Sequence, residues 1–176
     1  MDANFQRQIN QLFLNTLYII FISTSYFLYT LYKYCNKFVR QKLVMKLLII
    51  GLGSLGTELA RSLVLKNFEV SGVDLNPTRL RENNFLDKNF QLDACKREDL
   101  LKLPLDEYQK ILVCLGSKYE RSNLLAALLL NELCSQEIYV LYLNELQKKS
   151  LEVSGITNFI NFYKNSITEI LHNLTC

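Results

Sequence analysis

Short apolar runs alternate with amphipathic stretches over the last two thirds of the chain. Lys46 to Ile50 (KLLII) is an apolar run closed by glycine, as expected of a parallel strand buried on both faces. Leu55 to Lys66 then carries Leu55, Leu59, Ser62, Leu63 and Lys66 at helical spacing. Further strands are predicted at Glu69 to Val73, Phe90 to Asp93, Lys110 to Gly116, Glu137 to Leu143 and around Asn158 to Phe162. Between them lie helix patterns: NPTRLRENN with Asn76 as cap and Pro77 in first position, then KREDLLKL, Glu120 to Leu133, and Asn144 to Ser154. Strands that alternate with helices in this way require crossovers. The predicted fold is α/β, a Rossmann-like, doubly wound parallel sheet of six strands in the order 3-2-1-4-5-6.

The first strand and helix are joined by GLGSLG. Gly51 permits a tight turn, Gly53 lets the backbone approach a pyrophosphate, and Gly56 lets the helix pack close to the strand with its N-terminal amides facing an anion. The second strand ends at Asp74, roughly twenty residues on, where an acid can accept hydrogen bonds from a ribose diol. An acid there repels a 2'-phosphate, which favours an NAD-type or ATP-type ligand over NADP, with nearby Arg79 acting against that preference. The crevice is expected at the carboxyl ends of strands 1 and 4.

The first 44 residues have a different pattern, and all six glycines follow residue 50. Gln8 to Tyr32 contains no charged residue, and about 25 helical residues would span roughly 37 Å, enough for a transmembrane helix. Aromatics gather at its far end, and Lys33, Lys37, Arg40, Lys42 and Lys46 follow, against Arg7 alone before it. By the positive-inside rule the C-terminal part would face the cytoplasm, with the helix as a single-pass anchor. Two alternatives stay open: a cleaved signal peptide, for which the small-residue cleavage pattern is absent, and a true translation start at Met45, which would leave a cytoplasmic protein without the segment.

The net charge of +3, with both signs interspersed, points away from nucleic acid as a partner. Five widely spaced cysteines fit a reducing compartment, with Cys114 and Cys134 read as small buried residues. Catalytic candidates are lacking. The single histidine, His172, falls in a terminal helix, and the one Tyr-x-x-x-Lys spacing, Tyr29 to Lys33, falls in the apolar N-terminal segment.

Over Lys46 to Ile160 the chain resembles the RCK/KTN (TrkA-N) family, the nucleotide-sensing domains of TrkA-type and KtrA-type potassium-transport regulators. The stretches that carry the resemblance are IIGLGSLGTELARSL, VSGVDLNPTRL, FQLDACKREDLLKL, ILVCLGSKYERSNLLAALLLNEL and IYVLYLNELQKKSLEVSGITNFI. The resemblance implies NAD or NADH, or alternatively ATP or ADP, bound across Gly51, Gly53, Ser54, Leu55, Gly56, Asp74, Leu75, Asp93, Ala94, Gly116 and Asn123, with Asp93 at the base end of the ligand. Read without it, Asp93 is a turn residue at a strand end.

The same resemblance implies a regulatory subunit, a homodimer or larger ring bound to a potassium channel or transporter, gating the ion path without catalysis. Ser54 stands where many KtrA-type members carry an arginine that contacts a terminal phosphate, and INFYKN lacks the family's His-Pro-Glu acid, so no metal is expected there. The domain reading is a membrane helix and basic linker over 1–44, a Rossmann domain over 45–160 and a single terminal helix over 161–176 in place of the usual C-terminal subdomain. That helix, with Phe162, Ile167, Ile170, Leu171 and Leu174 on one side, resembles the crossover helix on which family dimers are built. The alternatives in function are a minimal NAD-dependent oxidoreductase subunit that borrows its substrate domain, and an assembly module whose crevice binds nothing.

Overall fold

The computed structural model describes residues 44–115, 120–165 and 167–175, together with Tyr26, Leu28, Tyr29 and Lys33. The chain divides into two compact units, Met1–Leu43 and Val44–Cys176. In the first unit the four described residues are helical and exposed. The rest of the expected transmembrane stretch lies outside the described residues, among which no helix is long and apolar enough to cross a membrane.

In the second unit the elements follow in the order β1 Lys46–Ile50, α1 Ser54–Leu65, β2 Glu69–Asp74, α2 Pro77–Glu82, β3 Lys88–Gln91, α3 Arg97–Leu100, a 3-10 turn Leu105–Glu107, β4 Lys110–Val113, α4 Glu120–Leu133, β5 Glu137–Tyr142, α5 Glu145–Val153, β6 Asn158–Asn161 and α6 Ile167–Thr175. The six strands form one parallel sheet ordered β3-β2-β1-β4-β5-β6, the order expected from the sequence. At the carboxyl edge Ile50 stands beside both Val73 of β2 and Val113 of β4, so the loops after these strands open on the same side.

The period-2 alternation of strand side chains divides the core into two layers. Leu48, Ile50, Ile111, Val113, Ile138 and Val140 share one cluster with Ala126, Ala127 and Leu130 of α4 and Leu151 of α5. Leu47, Ile49, Leu112, Leu141 and Ile160 share the other with Leu59, Ala60 and Leu63 of α1 and Ile170, Leu171 and Leu174 of α6. Every residue of β1 after Lys46 is therefore buried, whichever face it points to. That is the reason for its unbroken apolar run.

Two local expectations differ from the structure. β3 runs from Lys88 to Gln91 instead of Phe90 to Asp93, because it is an edge strand whose exposed Lys88 and Asn89 pair through their backbones with β2. Asp93 leaves the ladder for a turn in which its carboxylate accepts the Cys95 amide at 3.0 Å. β4 stops at Val113, short of Gly116, and the Leu115 amide is diverted to the side chain of Asn123. The last helix packs against α1 and buries Ile170, Leu171 and Leu174 in the core.

Candidate functional site

The first βα turn is an interlock of small residues. Gly51 has φ +101°, and a Cβ there would stand 2.5 Å from the Cys114 carbonyl oxygen, so conformation and space both require glycine. A Cβ on Gly56 would meet the Gly51 carbonyl oxygen at 2.0 Å, which is how closely the first turn of α1 sits on the end of β1. The Cys114 thiol donates to that same carbonyl at 3.2 Å. Full burial pushes this thiol up to about 12 from an ordinary 9.0, with the Asp74 charge adding to the effect. It is a neutral packing group.

Gly53 differs from its neighbours. Its φ of −69° is ordinary for any residue, and among the described residues nothing lies within 4 Å of where its Cβ would be. It occupies the N-cap of α1, so the helix begins without a side-chain cap and without an acidic residue in its first turn. The mouth of α1 thus carries backbone amides and the positive end of the helix dipole with no side-chain cap on them.

Asp74 ties this loop to β2. Its Oδ2 accepts the Leu52 amide at 2.9 Å and its Oδ1 accepts the Asn76 amide at 2.8 Å, while the residue itself is only 6% exposed. Arg79 Nη1 reaches Oδ2 at 3.3 Å. Behind them Asn83 Nδ2 donates to the Arg79 carbonyl at 2.8 Å and to Thr57 Oγ1 at 3.1 Å, and Thr57 Oγ1 donates in turn to the Leu52 carbonyl at 3.2 Å. Glycine loop, α1 and α2 are thereby joined through one polar network.

A cavity of about 310 Å³ opens beside these groups, over the ends of β1, β2 and β3. Of the residues singled out from the sequence, Gly51, Asp74, Leu75, Asp93 and Ala94 line it. Ser54, Leu55 and Gly56 belong to the first turn of α1 next to it, and Gly53 to that helix's cap. Asn123 is not in the lining. Buried to 1%, it accepts the Leu115 amide on Oδ1 at 2.7 Å and so shapes the loop after β4 from behind. Gly116 lies outside the described residues. Asp93 carries a second acid to the cavity, held by the Cys95 amide and, at 3.7 Å, by Lys96 Nζ. Among the described residues no group of three or more His, Cys, Asp or Glu side chains could hold a metal ion.

The lining also includes residues that the sequence did not mark as part of a site: Asn76, Leu92, Cys95, Leu115 and Ser122. Asn76 was legible only as a helix cap, although a helix that starts at Pro77, three residues beyond the end of β2, must begin at the crevice. Cys95 and Ser122 carry no local signal, because their meeting depends on how the start of α4 approaches the turn after β3; the Cys95 thiol lies 3.8 Å from the Ser122 carbonyl.

Residues 47–162 match the TrkA-N domain. The chain is 27% identical over 128 residues to the Ktr system potassium uptake protein A of Bacillus subtilis (strain 168), covering 72% of this chain and 57% of that protein. It is 26% identical over 113 residues to the protein of the same name from Vibrio alginolyticus, covering 64% and 51%. It thus spans about half the length of the curated relatives it matches. Among solved structures, the NAD(P)-binding domain of an exopolyphosphatase-related protein from Archaeoglobus fulgidus superposes with a TM-score of 0.62 at 18% identity, over 73% of this chain and 96% of that one. The GsuK channel bound to NAD does so with a TM-score of 0.56 at 17% identity, over 66% and 21%. At these identities the two structures speak for the fold. The family match, which takes in all six strands except the first residue of β1, settles the relationship: the chain belongs to the TrkA-N domain family.

Proposed function

We propose that this chain is a nucleotide-sensing regulatory module of a potassium-transport system, and that NAD(H) or an adenine nucleotide bound at the glycine loop sets the state of a membrane partner. The observation that carries the nucleotide reading is Gly53. Gly51 and Gly56 have reasons for being glycine inside the fold, whereas a Cβ at 53 would meet no atom of the described residues within 4 Å. A bare backbone at the mouth of an uncapped helix suits the close approach of a pyrophosphate. The reading extends along the cavity, with Gly51, Gly53, Ser54, Leu55 and Gly56 at the phosphates, Asp74 and Leu75 at the ribose, Asp93 and Ala94 at the base, and Asn123 holding the loop after β4 from behind; Gly116, outside the described residues, is the remaining member of the expected set.

Regulation is favoured over chemistry because the curated relatives are potassium uptake proteins and because the two acids on the cavity are each held by backbone amides, Asp74 by two and Asp93 by one. A ligand moves such a module only through unequal affinity for two states. The partner on this reading is a potassium channel or transporter subunit, the module a cytoplasmic homodimer or ring, and the domain limits those expected from the sequence, with residues 1–44 as anchor and linker. Thermal unfolding of the purified full chain with NAD, NADH, ATP and ADP tests the first step, since a ligand that binds only the folded state must raise the midpoint. A rise with at least one of them leads to potassium flux with the transporter subunit. No rise with any, at millimolar ligand, would leave an assembly module and end the sensing proposal.

A further inference from the structure

Asp74 has little acceptor capacity to give a ribose. Its two oxygens already take the Leu52 amide, the Asn76 amide and Arg79 Nη1, at 2.9, 2.8 and 3.3 Å. A carboxylate offers about four acceptor positions, so about one remains for a diol that would donate twice. Its charge is also opposed. Arg79 lines the same cavity with its side chain 42% exposed, and the bond to Asp74 uses one donor of a planar fork of five.

The guanidinium is rooted for this position. Pro77 and the Asn76 cap start α2, and the Asn76 side chain accepts the Thr78 amide at 2.9 Å. The Arg79 carbonyl is held by the backbone and the side chain of Asn83, the latter also bonded to α1 through Thr57. An acid at the end of the second strand rejects a 2'-phosphate by repulsion, whereas an arginine beside it receives one in bidentate fashion. Here the two stand as an ion pair, and the repulsive member is the buried one.

Resting on the nucleotide reading above, we propose that Arg79 is the specificity-determining residue of the ribose end and that it makes the site tolerant of a ribose 2'-phosphate, so that NADP is accepted alongside NAD. When a 2'-phosphate enters, Arg79 turns its free fork edge to it while Asp74 stays on its two backbone amides.

The test is calorimetric titration of the purified full chain with NAD and with NADP, at one fixed low salt concentration, for the wild type, Arg79→Gln and Arg79→Lys. In the wild type the Kd for NADP is expected to lie within tenfold of that for NAD. Arg79→Gln should raise the NADP-to-NAD ratio of Kd at least fivefold, mostly by weakening NADP, and Arg79→Lys should stay closer to the wild type than to the Gln variant. A wild-type ratio of tenfold or more, or a smaller rise in Arg79→Gln, overturns the proposal. The wild-type ratio decides even if a variant fails to fold. Binding of NAD with rejection of NADP would sink this inference alone, whereas binding of neither, with NADH, ATP and ADP also leaving the unfolding midpoint unchanged, would sink the nucleotide reading with it.

Discussion

The carboxylate of Asp74 accepts the amide of Leu52 at 2.9 Å, so the acid that ends β2 clasps the glycine loop that follows β1. Because its other oxygen accepts the Asn76 amide, the side chain has no edge on which a donor could sit without facing another donor. Asp74→Asn must turn its amide group toward one of those backbone N–H groups. The variant should therefore lose about 2 kcal/mol of stability in the absence of any ligand, the cost of a buried donor left unpaired. Urea unfolding measures it, and a midpoint equal to that of the wild type would mean that the clasp contributes nothing and that the acid serves only a ligand.

The three loop glycines should separate into two kinds on substitution. Gly56→Ala places a methyl 2.0 Å from the Gly51 carbonyl, which α1 can relieve only by lifting off β1, at a cost of about 3 kcal/mol or more. Gly53→Ala has an allowed φ and empty space, so its unfolding midpoint should stay within about 0.5 kcal/mol of the wild type. Its nucleotide affinity, on the reading proposed above, should nonetheless fall at least tenfold. Loss of stability in Gly53→Ala, with binding retained, would reverse the assignment.

What could be read in advance was what depends on local pattern. The unbroken apolar run of β1, Pro77 behind its Asn76 cap and the span of α4 are each stated by neighbouring residues, and the sheet order follows from the alternation they establish. The misplaced ends were those decided by distant partners. β4 ends where Asn123, eight residues further on, takes the Leu115 amide, and β3 begins at exposed residues whose only warrant is the backbone of β2. For the site, glycine and acid positions were legible because conformation and charge demand those residue types. Arg79 was visible as a neighbour of Asp74, but its bond to that acid needs the turn of α2 that brings it back over β2.

The apolar stripe of α6 was legible in the same local way. A stripe that serves a dimer leaves the isolated domain intact when it is cut, whereas here Leu174 is fully buried beside Leu59 and Leu63 in one cluster. Leu174→Ala should cost about 3 kcal/mol and should do so independently of protein concentration. Unfolding measured at two concentrations a hundredfold apart distinguishes the cases: a cost that grows on dilution would place α6 in a subunit interface.

Cys114 gives the fold an alkaline limit. Its thiol is raised by burial to about 12, from an ordinary value of 9.0 that the unfolded chain retains. Below pH 9 both states hold the proton, and the contribution is fully present. Between 9 and 12 the unfolded chain releases it while the folded chain does not, so stability falls with rising pH by about 1.4 kcal/mol per unit from this group. Tyr108 and Tyr139, whose burial also raises them, titrate in any variant and cancel in a comparison. Cys114→Ala should be less stable than the wild type at pH 8, by about 1 kcal/mol for the lost sulfur, and the gap should close and then invert as the pH passes 10. Parallel stability curves for the two proteins from pH 8 to 11 would show that the thiol ionises in place, and that the packing of Gly51, Gly56 and Cys114 is looser than the contacts here require.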